Sequence, residues 1–141
     1  MFSVNESTQQ SNCELLLIAF YQEAAAFGVR QLYNYLTSNG HSVSMLFFKE
    51  RTQENPFPTP TEICLLLDFI KKEKSQIIGL SVLSIFFPIA KVVSEEISKV
   101  FPGLIIWGGV HPTLCPEECI NYADAVVIGD GEMPLDLIIK N

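Results

Sequence analysis

The sequence predicts a parallel α/β domain, one sheet covered by helices on both faces. Two observations carry this. Short apolar runs recur at 15–20, 43–48, 77–82, 104–107 and 125–128, and such continuous runs suit strands buried on both sides. Between them lie stretches with apolar residues at helical spacing, so strand and helix alternate five times. At 141 residues, the chain is long enough to bury a core without disulfide or metal staples.

Residues 1–13, rich in Ser, Asn and Gln, read as a loose leader, and 14–141 as the domain. After the first strand, Val29, Leu32, Tyr33 and Leu36 form one helical stripe that Gly40 ends. The second strand leads into residues 49–60, where Pro56, Pro58 and Pro60 demand a loop. Thr61 is expected to N-cap a second helix with Ile63, Leu66, Leu67 and Ile70 on its inner face. Beyond the third strand, Pro88 is expected to open a third helix. Its stripe is Ile89, Val92, Val93, Ile97 and Val100, closed by Pro102-Gly103. A glycine-rich loop follows the fourth strand, then a short helix over 116–121, the fifth strand, and a last helix over 133–140.

Composition removes several functions. The net charge of −7, with no basic cluster, leaves no face for nucleic acid or anionic lipid. The longest apolar run, 77–90, is shorter than the ~20 residues of a membrane span, and the N-terminus has no targeting pattern. Cys13, Cys64, Cys115 and Cys119 suggest no disulfide framework, so a reducing cytoplasm is the expected compartment. Cys115 and Cys119 could meet across one helical turn. Without a third thiolate they read as small core side chains rather than zinc or iron–sulfur ligands.

Right-handed crossovers put every strand-to-helix loop on one edge of the sheet, where α/β domains bind ligands. The first loop is 21–28. The second begins Ser81-Val82-Leu83-Ser84, the third runs Gly108-Gly109-Val110-His111-Pro112-Thr113, and the fourth is Gly129-Asp130-Gly131-Glu132. Small residues and hydroxyls dominate, and charged catalytic types are scarce. Glycines let backbone approach a bulky ligand, and free amides can bind its polar groups.

Ser81-Val82-Leu83 and Gly108-Gly109 resemble the Ser-x-Leu and Gly-Gly elements of cobalamin-binding domains. Trp107-Gly108-Gly109-Val110-His111-Pro112-Thr113, with Pro116-Glu117-Glu118 and Val127-Ile128-Gly129-Asp130-Gly131-Glu132, is similar to the N-terminal B12-binding domain of radical-SAM cyclases and methyltransferases. The resemblance implies a flavodoxin-like (Rossmann-like) three-layer sandwich with a five-stranded parallel sheet of order 2-1-3-4-5. It implies cobalamin as cofactor, its nucleotide tail between sheet and helices and its corrin over the strand ends. Carried over, Ser81, Leu83 and Ser84 would line the tail pocket, and Gly108 and Gly109 would let the tail pass. Gly28, Val110, His111 and the loop Gly129, Asp130, Gly131, Glu132 would flank it.

The departure from cobalamin mutases is informative. They carry Asp-x-His-x-x-Gly after the first strand, the histidine ligating cobalt. With Gly28 as that final glycine, Glu23 takes the acidic position and Ala25 the histidine position, so this loop offers no imidazole. The resemblance thus implies a base-off module, not catalytic alone. Its radical-SAM partner, in cis or in trans, would hold S-adenosylmethionine and a 4Fe-4S cluster. No Cys-x-x-x-Cys-x-x-Cys is present, and the chain stops where the family's linker begins, which reads as a domain fragment. His111 reads either as a cofactor contact or as a loop residue capping a carbonyl, and Phe86 and Phe87 as core or as a wall of the corrin. Asp130 and Glu132 suit a helix N-terminus better than an acid–base pair, and His41 is expected to be solvated. The rival reading is a degenerate flavodoxin-like docking domain that binds no cofactor.

Overall fold

The structure, a computed structural model, describes residues 13–20, 26–48 and 57–141. Five strands, β1 (Leu15–Ala19), β2 (Val43–Phe47), β3 (Ile77–Ser81), β4 (Leu104–Gly108) and β5 (Ala125–Val126), form one parallel sheet of order β2-β1-β3-β4-β5. Among the described residues six α-helices accompany them: α1 (Ala26–Ser38), α2 (Pro60–Glu73), α3 (Phe87–Ser98), α4 (Val110–Leu114), α5 (Pro116–Cys119) and α6 (Glu132–Lys140). This is the parallel sheet that the alternation predicts and the flavodoxin-like three-layer sandwich that the resemblance implies.

Strand side chains alternate between faces, which splits the core in two. Val29 and Leu36 of α1 and Leu135 of α6 cover Leu15, Leu17, Ile77 and Ile106. Leu66 and Ile70 of α2, with Ile89, Ala90, Val93 and Ile97 of α3, cover Leu16, Ile18, Ile78, Leu80 and Trp107. Trp107 is fully buried, stacked on Tyr122 at 5.9 Å and edge-on to Phe87 at 6.0 Å. Its Nε1 donates to Ser94 Oγ (3.1 Å), and that hydroxyl donates to the Tyr122 carbonyl (2.7 Å). The buried indole is therefore satisfied.

Several expectations are corrected. Thr59, not Thr61, caps α2. Its hydroxyl accepts from the Glu62 amide (3.2 Å) and the Glu62 carboxylate accepts from the Thr59 amide (3.1 Å), a reciprocal box with Pro60 at the first helical position. The buried stripe of α3 is Phe87, Ile89, Ala90, Val93 and Ile97, while Val92 and Val100 are exposed. Residues 110–114, expected as loop, are the helix α4, because Gly109 at φ +105° turns the chain directly into it. Phe86 and Phe87 are core residues. His41 is not solvated. Its side chain is 8% exposed, with Nε2 2.6 Å from Asp136 Oδ1 and Nδ1 3.4 Å from Glu14 Oε2. Cys13, assigned to the leader, is buried with Sγ 3.2 Å from the Leu15 carbonyl. Residues 1–12 and 49–56 lie outside the described residues. No helix among the described residues is long and apolar enough to cross a membrane.

Candidate ligand cleft at the carboxyl edge of the sheet

The register sets the size of each row of side chains beneath α1 and α6. Leu15, Ile77 and Leu104 are partners across three strands; then Leu17, Gly79 and Ile106; then Ala19, Ser81 and Gly108. Bulk shrinks toward the carboxyl ends, so the two layers part there. A cleft of about 210 Å³ results, floored by Leu17, Gly79, Ser81, Ile106 and Gly108 and walled by Val29, Leu32, Val127 and Leu135. That is below the roughly 300–1,000 Å³ of clefts that enclose a whole drug-sized ligand. The volume suits one planar arm of a larger molecule whose remainder lies outside. The position is the switch point between β1 and β3, from which the strand order runs outward in both directions.

Of the residues assigned from sequence, Gly28, Ser81, Gly108, Gly109, Gly129, Asp130, Gly131 and Glu132 line this cleft. Leu83, Ser84, Val110 and His111 do not. Leu83 packs against the opposite core, and Val110 is exposed on α4. Ser84 Oγ lies 3.0 Å from His111 Nδ1. Residues 21–25, with Glu23 and Ala25, lie outside the described residues. Sequence reasoning missed the walls Val29 and Leu32, which it took for a helical stripe alone, and it did not single out Leu135 or Gly79. A glycine inside a buried strand marks close approach or deliberate space, and that signal was available.

Two devices hold the rim. Gly109 lies where a Cβ would stand 3.1 Å from the Val82 nitrogen and 3.2 Å from its oxygen. Only glycine tolerates both that crowding and a φ of +105°. Thr113 accepts from the Gly129 amide (3.0 Å) and donates to the Gly109 carbonyl (2.7 Å), fastening the fourth loop to the third.

On the other side of β4, His111 lies against Phe87, ring centroids 4.5 Å apart. It caps no backbone carbonyl among the described residues' hydrogen bonds. Nδ1 faces Ser84, while Nε2 is buried without a hydrogen-bond partner among the described residues, 3.8 Å from Glu118 Oε2. All four cysteines are free. Cys119 is a core side chain, as expected, its thiol pushed up by burial and then by Glu118 and Cys115. Cys115 is half-buried and Cys64 exposed.

Fold and cleft together define a ligand-binding parallel α/β domain with its site at the sheet's carboxyl edge. The chain belongs to the B12-binding domain family, whose model matches residues 14–139. None of the curated proteins matches it. A solved structure of the last common ancestor of HMPPK and PLK/HMPPK vitamin kinases is similar in fold. It is 17% identical, with a TM-score of 0.52, over 80% of this chain and 59% of that one.

The residues present fit the group that names this family. A Cβ built at Gly28 or Gly129 meets nothing within 4 Å, and at Gly108 only Val127, at 3.8 Å. At these three positions the rim therefore leaves open space where side chains would stand. Apolar walls suit a heteroaromatic ring, and the Ser81 hydroxyl suits a polar group attached to it.

Proposed function

We propose that this domain binds cobalamin with the nucleotide tail in the cleft beneath α1 and α6 and the corrin over the strand ends, in the service of a radical-SAM methyltransferase or cyclase. The observation that carries the reading is the row Ala19, Ser81, Gly108 beside Gly79, which opens the layers at the switch point. Leu17, Ile106 and Val127 would flank the ring of the tail. Ser81 and the backbone of Gly129 and Gly131 would bond its polar groups. The carboxylates of Asp130 and Glu132 suit N–H donors such as the corrin's amides rather than a phosphate. Phe27, Val110, Ile128 and Met133 are exposed on loops and helix starts at this edge, an apolar rim suited to a large flat ligand and a covering domain.

When bound, cobalamin supplies a cobalt that carries and releases a methyl group. The chain's own part is to bind and orient it. Position 25 is alanine, and His111 does not line the cleft, which supports a base-off mode without protein imidazole on the metal.

The test is retention. Hydroxocobalamin mixed with the protein should co-elute on gel filtration at one equivalent per chain. Complete loss of colour under both aerobic and anaerobic reducing conditions would leave the docking-module reading instead.

A further inference from the structure

We propose that His111, Cys115 and Glu118 form a binding site for a zinc-class divalent cation, separate from the cleft. The three come from the α4–α5 corner. Their donor atoms, one imidazole nitrogen, Sγ and a carboxylate oxygen, all lie within 4.8 Å of one another. The corner is built by the break at Cys115 (φ −132°, ψ 58°) before Pro116. Cys115 follows His111 by one turn, its amide bonded to the His111 carbonyl at 2.8 Å.

The histidine is the decisive member. Its ring is held by the contact with Phe87, and Nδ1 is engaged by Ser84 Oγ at 3.0 Å. With the proton on Nδ1 and donated to Ser84, the free lone pair is on Nε2, on the Glu118 side at 3.8 Å from its Oε2. Metal-binding imidazoles are oriented in this way, one nitrogen held by a hydrogen bond and the other left for the ion. Nε2 is buried and has no hydrogen-bond partner among the described residues. An orphaned buried polar atom is costly, and 3.8 Å to Glu118 is too long for a hydrogen bond to relieve it. A cation between the three donors would.

Nitrogen, thiolate and carboxylate together suit zinc, with water as a fourth ligand. Bond lengths of about 2.0–2.3 Å in a tetrahedron put donor atoms roughly 3.5 Å apart, so the cluster must contract by about 1 Å. The exposed Glu118 and half-buried Cys115 can rotate to supply it. Cys115 binds as thiolate, and its proton leaves to solvent.

The proposal is independent of cobalamin and is tested on cobalamin-free protein under reductant. Zinc competed against a chromophoric chelator should bind one equivalent per chain, and cobalt(II) in its place should give a thiolate charge-transfer band. Cys115→Ala should abolish the band, and His111→Gln, which keeps bulk against Phe87, should weaken zinc by roughly a hundredfold or more. Ser84→Ala, which removes only the orienting bond, should cost about tenfold. Cys64→Ala and Glu117→Gln should change nothing. Failure to bind one zinc, or binding that survives both Cys115→Ala and His111→Gln in variants with native circular dichroism, overturns the site.

Discussion

The His41 imidazole joins α6 to the start of β1. Nε2 lies 2.6 Å from Asp136 Oδ1, and Nδ1 lies 3.4 Å from Glu14 Oε2. Lys140 Nζ bonds the other Asp136 oxygen at 2.8 Å. The cluster sits at the end of the domain opposite the cleft, yet it anchors the helix that supplies Leu135 to the cleft wall.

Hydrogen bonds from Lys140 first, and then from His41, hold the Asp136 carboxyl below the ordinary carboxylate range. A carboxyl lowered by folding contributes stability that is fully present above its unfolded value and lost as pH falls through its folded value. Asp136→Asn should therefore lower the Tm at neutral pH and flatten its decline below about pH 4. Thermal melts across pH decide it; parallel wild-type and variant curves would remove Asp136 from the acid transition.

Gly108 and Gly109 are adjacent, yet they should fail differently when substituted. A Cβ at Gly108 enters open cleft, 3.8 Å from Val127, so Gly108→Val should keep the fold while weakening cobalamin by about 1–3 kcal/mol, the usual scale of overpacking. Gly109→Ala forces a side chain onto φ +105° and against Val82, and should cost stability on the order of 1–3 kcal/mol. Urea melts and cobalamin titration of both variants would distinguish them. Equal stability with equal affinity would place the ligand elsewhere.

Ser94 is the acceptor for the Trp107 indole and a donor to the Tyr122 carbonyl. Ser94→Ala leaves the fully buried Trp107 indole without its acceptor, for a loss of about 1–3 kcal/mol. An unfolding free energy from denaturant melts that changes by less than about 0.5 kcal/mol would mean that the core repairs itself.

The alanine at position 25 bears on the metal. In the cobalt(II) form of bound cobalamin, electron paramagnetic resonance should show no nitrogen splitting, in wild type and in His111→Ala alike. A split that disappears in His111→Ala would make His111 the lower ligand and refute the absence of a protein imidazole; a split that survives would keep the cofactor's own base on the metal and refute the base-off reading.

The sheet was legible because buried parallel strands advertise themselves as unbroken apolar runs, and their order follows from handed crossovers with the family resemblance. The helix α4 at the edge was not. Gly108-Gly109 followed by Pro112 reads as loop chemistry, and nothing local says that one positive φ at Gly109 would launch α4. The cleft was half visible. Its glycine rim stood out at the strand ends, but its walls are ordinary stripe residues whose second duty depends on how far α1 and α6 stand from the sheet. The cluster at His111 was missed because Cys115 was paired with Cys119, whereas Cys119 is buried in the Trp107 core and Cys115 joins His111 and Glu118.

Gly79 carries a consequence for how far the domain can be improved. A glycine inside a strand forgoes packing and restricts less of the unfolded chain, a loss of roughly 0.5–1 kcal/mol against alanine. Here an added Cβ would stand 3.2 Å from the flexible end of Leu17, close enough to require only a small shift. Whether the Leu17 side chain gives by a few tenths of an ångström sets the sign of an alanine here, and with either sign the added carbon would shrink the floor on which a ligand must rest. Where Leu17 does give, thermal robustness and receptivity pull in opposite directions at this one position.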